Sequence, residues 1–130
     1  HGQPVLVVDD DRDYAQLLKR LLERQGFSVE LAYDGDDALR KIGSKRYQLV
    51  ILDKNLPKRS GLDVLQEMRS NRSLHRVPVI IISSSAHAEE TAHMAQILGA
   101  KKFLSKKLAP QSLVEEIVQF LKSSKPKLQS

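Results

Sequence analysis

The chain has 130 residues, enough for one domain with a full core and too few for a second unit of ordinary size. It has no cysteine, which excludes disulfides, thiolate-bound zinc, iron–sulfur clusters and thiol nucleophiles. Its 21 Lys and Arg against 16 Asp and Glu leave a net charge of +5. A charged fraction of 28% with 41% hydrophobic residues is the composition of a folded globular protein, and runs such as Leu49 to Leu52 and Val79 to Ile82 are too short to cross a bilayer. No signal-peptide pattern is present in the sequence given, so a cytoplasmic location with no membrane association is expected. Residues 1–3 read as a remnant or disordered leader, 4–123 as the folded domain, and 124–130, with Ser124-Lys125-Pro126-Lys127, as a tail or linker.

Short apolar runs alternate with helical patterns from end to end. Val5 to Val8 is a continuous β-branched and leucine run, as expected of a strand buried on both faces. Tyr14, Leu17, Leu18, Leu21 and Leu22 follow at helical spacing, and Gly26 stands where a C-terminal cap belongs. Phe27 to Ala32 is the second predicted strand, and Asp34 to Asp37 offer N-caps for a helix carrying Ala38, Leu39 and Ile42. Gln48 to Leu52 is the third strand, followed by a loop with Pro57 and Gly61 and a helix marked by Leu62, Leu65 and Met68. Pro78 leads into the fourth strand, Val79 to Ile82. Ala92, Ala95 and Leu98 mark the next helix, which Gly99 ends. Lys102 to Ser105 is the fifth strand, and Pro110 opens a last helix with Leu113, Ile117, Phe120 and Leu121 on one stripe.

Five strands alternating with five helices predict an α/β fold, a doubly wound five-stranded parallel sheet with helices on both faces. In the flavodoxin-like order 2-1-3-4-5 the chain reverses direction across the sheet between strands 1 and 3, and ligands bind beyond the carboxyl ends of those strands. Strand 1 runs into Asp9-Asp10-Asp11 and strand 3 into Asp53, so three or four carboxylates should converge there. Carboxylates that close repel unless a cation sits among them. An all-oxygen set without His or Cys suits a hard ion, Mg²⁺ or Mn²⁺. Capping of the first helix accounts for Asp10 or Asp11 but not for Asp53. Strand 4 ends in Ser83-Ser84-Ser85 and strand 5 in Lys106-Lys107. Taken singly, a serine cluster is a turn signal and a lysine pair a solvated surface. Together with the acids they form the inventory of phosphoryl chemistry: cation ligands, a carboxylate nucleophile, a hydroxyl and an ammonium.

These residues resemble the receiver domain of two-component response regulators, from Val5 to about Leu121. Asp9-Asp10 follows strand 1, and Asp53 to Gly61 fits an Asp-x-x-Leu/Met-Pro-x-x-x-Gly phosphorylation loop. Pro78 to Ser83 fits the fourth strand, and Phe103 and Lys106 stand at the family's aromatic and lysine positions. The resemblance implies that Asp53 accepts a phosphoryl group from a phosphohistidine of a histidine kinase or histidine phosphotransfer protein. It implies that Asp10 and Asp53 ligate Mg²⁺ directly, Asn55 through its backbone carbonyl and Asp9 mostly through water. Ser83 and Lys106 would bind phosphoryl oxygens, so Asp53, Ser83 and Lys106 carry the chemistry. Ser83 and Phe103 would form the switch that reshapes the helix 4, strand 5 and helix 5 surface for a downstream protein target or output domain. One departure is Lys106-Lys107, where the family has Lys-Pro with a cis peptide. A cis bond before a non-proline residue costs about 3 kcal/mol, which favours trans here. Lys54, Lys58 and Arg59 make the loop after Asp53 more basic than the crevice it borders.

Three other readings are weaker. A flavin site needs a glycine- and hydroxyl-rich phosphate cradle after strand 1, where Asp9-Asp10-Asp11 would repel a phosphate. A nucleic-acid binder is suggested by the positive charge, but the basic residues look scattered and no helix-turn-helix is left over, so no direct nucleic-acid contact is expected. A degenerate receiver, acting as a phosphorylation-independent docking module, would lack part of the set Asp9, Asp10, Asp53, Ser83 and Lys106, and none is missing.

Overall fold

The computed structural model of the chain describes residues 2–84 and 88–123. Its elements run β1 (Val5–Val8), α1 (Arg12–Arg24), β2 (Val29–Ala32), α2 (Gly35–Ser44), β3 (Leu49–Asp53), α3 (Gly61–Ser70), β4 (Val79–Ser83), α4 (Ala88–Ile97), β5 (Lys102–Ser105) and α5 (Pro110–Ser123). The strands form one parallel sheet in the order β2-β1-β3-β4-β5. The α/β doubly wound architecture and the strand order are those expected from the sequence. Ser85 of the serine cluster and the 124–130 tail lie outside the described residues, as does His1 of the 1–3 leader.

The apolar runs of β1, β3 and β4 are buried throughout because helices cover both faces of the sheet. Alternation sorts their side chains: Val5, Val7, Leu49, Ile51, Ile80 and Ile82 join α1 and α5 in one core. Leu6, Val8, Val50, Leu52, Val79 and Ile81 join α2, α3 and α4 in the other. The helix starts are fixed by side-chain caps: Asp11 accepts from the Tyr14 N–H, Asp34 from Asp37 and Ser60 from Asp63. Gly26 (φ 95°) ends α1 and Gly99 (φ 85°) follows α4, both left-handed. In each turn the glycine N–H and that of the next residue close onto the last helical carbonyls, Glu23 and Leu22 for the first, Gln96 and Ala95 for the second.

The second strand starts at Val29 rather than Phe27. The Phe27 N–H is committed to the Leu22 carbonyl in the α1 cap, so Phe27 belongs to the turn and packs against the α1/α5 core from there. The third and fourth strands each extend one residue further than expected, so Asp53 and Ser83 are the last residues of β3 and β4 and not the first of the loops. There is no cis peptide among the described residues, so the Lys106–Lys107 bond is trans. No described helix is long and apolar enough to cross a membrane.

Candidate functional site

The period of two in the strands decides which acids meet. Asp9 continues the Val5, Val7 face of β1, and Asp53 continues the Leu49, Ile51 face of β3, so both carboxylates emerge on the α1/α5 side of adjoining strand ends. Lys106 continues the Lys102, Leu104 face of β5 and reaches over the end of β4 to the same place. Its backbone N–H is anchored to the Ser83 carbonyl at 2.9 Å. The Lys106 ammonium lies 2.6 Å from Asp9 Oδ2 and 3.1 Å from Asp53 Oδ2, bridging two carboxylates that are themselves almost wholly buried. Asp10 stands beside them, exposed, and the three acids each offer an oxygen within 4.8 Å of the others.

The local chain path holds this geometry. The Asp9 N–H pairs with the Ala32 carbonyl and Asp9 Oδ1 accepts from the Asp11 N–H, which fixes the acid run against β2. The Lys54 N–H pairs with the Ile82 carbonyl, and the Gly61 N–H returns to the Lys54 carbonyl at 2.7 Å, so the 54–60 loop closes directly onto β3. A Cβ at Gly61 would stand 2.2 Å from the Asp53 carbonyl oxygen; only glycine lets α3 start this close to the strand. Within the loop Lys58 takes a left-handed φ of 71°, an uncommon conformation for a side chain of that size.

Burial and the charge of Asp9 push the Asp53 carboxyl up to about 6, against the pull of Lys106 and of the Asn55 N–H, which points at Asp53 Oδ1 from 3.4 Å. Burial alone would lower the Lys106 ammonium, but the two carboxylates outweigh it and hold it above the ordinary lysine value. Asp9 and Asp53 are almost wholly buried, and with Asp10 they bring three carboxylate oxygens within 4.8 Å of one another. A cluster of oxygen donors only, carrying more negative charge than one ammonium offsets, fits a hard divalent cation.

Of the residues expected at the site, Asp9, Asp10, Asp53 and Lys106 are brought together directly. Asn55 follows in the loop, and Ser83 is buried at the end of β4. Ser83 is paired in register with Ser105, and Ile81 with Phe103. Ser83 and Phe103 therefore share the sheet face covered by α4, two residues or about 7 Å apart along the strands. Phe103 is half-buried beside a cavity of about 300 Å³ that Ala92, Ala95 and Ala100 also line.

The loop after Asp53 is less basic in its setting than its sequence suggests. Lys58 faces Asp34 at 3.6 Å, and Arg59 is taken by Asp36 and Glu67. One participant in the site escaped the sequence reading, as did one structural tie at the other end of the sheet. Tyr14, read only as part of a helical stripe, lies with its ring 4.8 Å from the Lys106 ammonium. Its hydroxyl is buried without a hydrogen bond, and burial raises its pKa. Arg69 donates to four backbone carbonyls, those of His75, Val77, Leu98 and Gly99, and ties α3 to the loops before β4 and β5.

A parallel α/β sheet whose ends gather three carboxylates under a lysine defines a class, and comparison with known proteins identifies it. Residues 5–118 match the response regulator receiver domain, and the chain belongs to that family, a family of two-component signalling proteins. Over 120 residues it is 37% identical to the transcriptional regulatory protein CpxR of Escherichia coli K12, covering 92% of this chain and 50% of that one. Over 113 residues it is 36% identical to the transcriptional regulatory protein DltR of Streptococcus agalactiae, covering 87% and 49%. It thus spans about half the length of these relatives. Among solved structures, the receiver domain of NtrX from Brucella abortus superposes with a TM-score of 0.80 at 32% identity, covering 92% of this chain and 99% of that one. The receiver domain of the Francisella response regulator 1452 superposes with a TM-score of 0.84 at 28% identity, covering 95% and 100%.

Proposed function

We propose that this receiver domain, residues 4–123, is a phosphoacceptor and that Asp53 is the residue phosphorylated. The observation that carries the reading is the Lys106 ammonium set between the buried carboxylates of Asp9 and Asp53. An Asp53 oxygen attacks the phosphorus of a phosphohistidine on a histidine kinase or histidine phosphotransfer protein. The P–N bond breaks, and its electron pair stays on the imidazole nitrogen. Lys106 favours the ionised nucleophile, then holds a phosphoryl oxygen together with the Ser83 hydroxyl. Asp9, Asp10 and Asp53, with the Asn55 carbonyl, would hold Mg²⁺ or Mn²⁺, which when bound neutralises charge on the phosphoryl oxygens. Hydrolysis of the acyl phosphate to aspartate and phosphate resets the domain, so its catalysis serves signalling.

Phosphorylation adds about two negative charges at the crevice. Drawing Ser83 toward them frees space on the sheet face it shares with Phe103, and rotation of Phe103 reshapes the α4, β5 and α5 surface for a downstream protein target or output domain. The domain itself makes no direct nucleic-acid contact in this scheme and works in the cytoplasm. Intact mass after incubation with acetyl phosphate tests the chemistry. One phosphoryl adduct is expected, dependent on Mg²⁺ and lost in Asp53→Asn. No adduct, together with no binding of beryllofluoride as a stable mimic, would overturn it and favour a docking module that keeps only the fold.

A further inference from the structure

Ion pairing is uneven over the surface. On the helices and near the crevice several cations meet carboxylates, Lys19 with Glu23, Lys41 with Asp37, Arg59 with Asp36 and Glu67, and Lys102 with Glu116, while Arg20, Arg24 and Lys122 stand on helices that also carry acids. The opposite end of the sheet differs. In a parallel sheet every loop that enters a strand emerges at the same end. Here those loops, residues 25–28, 45–48, 71–78 and 98–101 with the lead-in residues 2–4, contain no Asp or Glu. They contain Lys45, Arg46, Arg72, Arg76 and Lys101. Lys45 is neutralised by Glu30 at 2.6 Å. Arg46, Arg72, Arg76 and Lys101 form no ion pair with any described residue.

Two of these cations share a concavity. Arg46, from the loop before β3, and Arg76, from the loop before β4, line one cavity of about 560 Å³ with Gln48, Ser73 and Pro78, and no acidic side chain lines it. We propose that this cavity is a docking site for an acidic peptide segment of a partner protein, its carboxylates taken by the Arg46 and Arg76 guanidinium groups. Two like charges facing one space are relieved by an anion, and a planar guanidinium matches a carboxylate with two parallel hydrogen bonds. Ser73 and Gln48 border the same space with polar groups.

Other anionic partners fit less well. Single-stranded nucleic acid would need a ring to stack on, but the aromatic side chain here, Tyr47, is 3% exposed and gives its hydroxyl to Glu30. A duplex presents phosphates to a ridge or an inserted helix, and this site is a hollow between two loops. A lipid surface would need apolar anchors, and none of the exposed large apolar side chains, Met94, Ile97 and Leu108, lines it. The site lies at the other end of the strands from Asp53, so it would hold its partner in either phosphorylation state.

The test is fluorescence anisotropy of a short labelled Glu-rich peptide titrated with the whole chain at low and high salt. Arg46→Gln/Arg76→Gln is compared with Arg20→Gln/Arg24→Gln, which removes the same charge from exposed positions on α1. The expected result is saturable binding by wild type and the α1 variant, weakened by salt, and about tenfold weaker binding by Arg46→Gln/Arg76→Gln. Circular dichroism melts confirm that the exposed substitutions leave the fold intact. Absence of saturable binding, equal loss in both variants, or tighter binding of duplex DNA through the same two arginines would overturn the proposal.

Discussion

Replacing Gly61 by Ala sets helix propensity against a close approach, and the two predict opposite signs. By propensity alone, Ala in a helix is favoured over Gly by up to about 1 kcal/mol. In the fold, the new Cβ would lie 2.2 Å from the Asp53 carbonyl oxygen and 2.9 Å from both the Asp53 carbonyl carbon and Lys54 Cα. All three are backbone atoms of β3 and its exit, so no side chain can turn aside. Relief requires the start of α3 and the end of β3 to separate by about 1 Å, at an overpacking cost of about 1–3 kcal/mol. The separation also strains the 2.7 Å Gly61–Lys54 hydrogen bond, for about 1 kcal/mol more. A net destabilisation of about 2–3 kcal/mol is expected, lowering the urea midpoint by about 1 M or more at unchanged slope. Gly43→Ala is the internal control: it lies in α2 with nothing within 4 Å of a new Cβ, and should gain about 0.5 kcal/mol. Acetyl phosphate labelling should slow in Gly61→Ala, because the displaced backbone carries Asp53. If Gly61→Ala raised the midpoint as Gly43→Ala does, the close approach would not be what requires glycine there.

Three further outcomes are expected. In the metal-free protein the Asp53 carboxyl is raised to about 6, so protons would compete below that pH with the divalent cation proposed to bind there. Mg²⁺ affinity, read by titration, should be about tenfold tighter at pH 7 than at pH 5 and level above pH 7; a flat profile across that range would refute the raised pKa. Tyr14→Phe keeps the ring face toward Lys106 and removes a buried unpaired hydroxyl, so stability in urea should rise by about 1 kcal/mol. Tyr14→Leu removes the ring face and should weaken beryllofluoride binding about fivefold, and equal binding by the Phe and Leu variants would dismiss the cation–π contact. Arg69→Lys cannot serve four carbonyls at once and should cost about 2 kcal/mol in thermal or urea unfolding, whereas wild-type stability would mean those hydrogen bonds contribute nothing net.

The sequence carried the architecture because both of its signals are local. A run such as Val5 to Val8 announces a strand buried on two faces, and Leu18 with Leu22 announces the inward stripe of a helix; neither requires knowing what lies across the interface. The acids were legible for a related reason: Asp9 and Asp53 directly follow apolar runs, and a parallel sheet brings all such ends to one edge. Strand and helix boundaries were less so, since the end of β2 toward Phe27 depends on which carbonyl captures one N–H in the preceding cap.

What only the tertiary structure decided are relations between residues far apart in the chain. That Lys106 bridges Asp9 and Asp53 follows from β1, β3 and β5 turning the same face to α1 and α5, with Lys106 two residues past Leu104, the residue level with Asp53 across β4. That Tyr14 lies beside the ammonium follows from how α1 crosses them. The requirement for glycine at position 61 appears only when α3 is seen to start against the Asp53 carbonyl. Charge behaves the same way. Counting Lys and Arg gives +5 wherever they stand, but ion pairing is a matter of distance through space. Folding turns Lys58 and Arg59 toward acids on α2 and α3, and leaves Arg46 and Arg76 facing one hollow with no carboxylate between them.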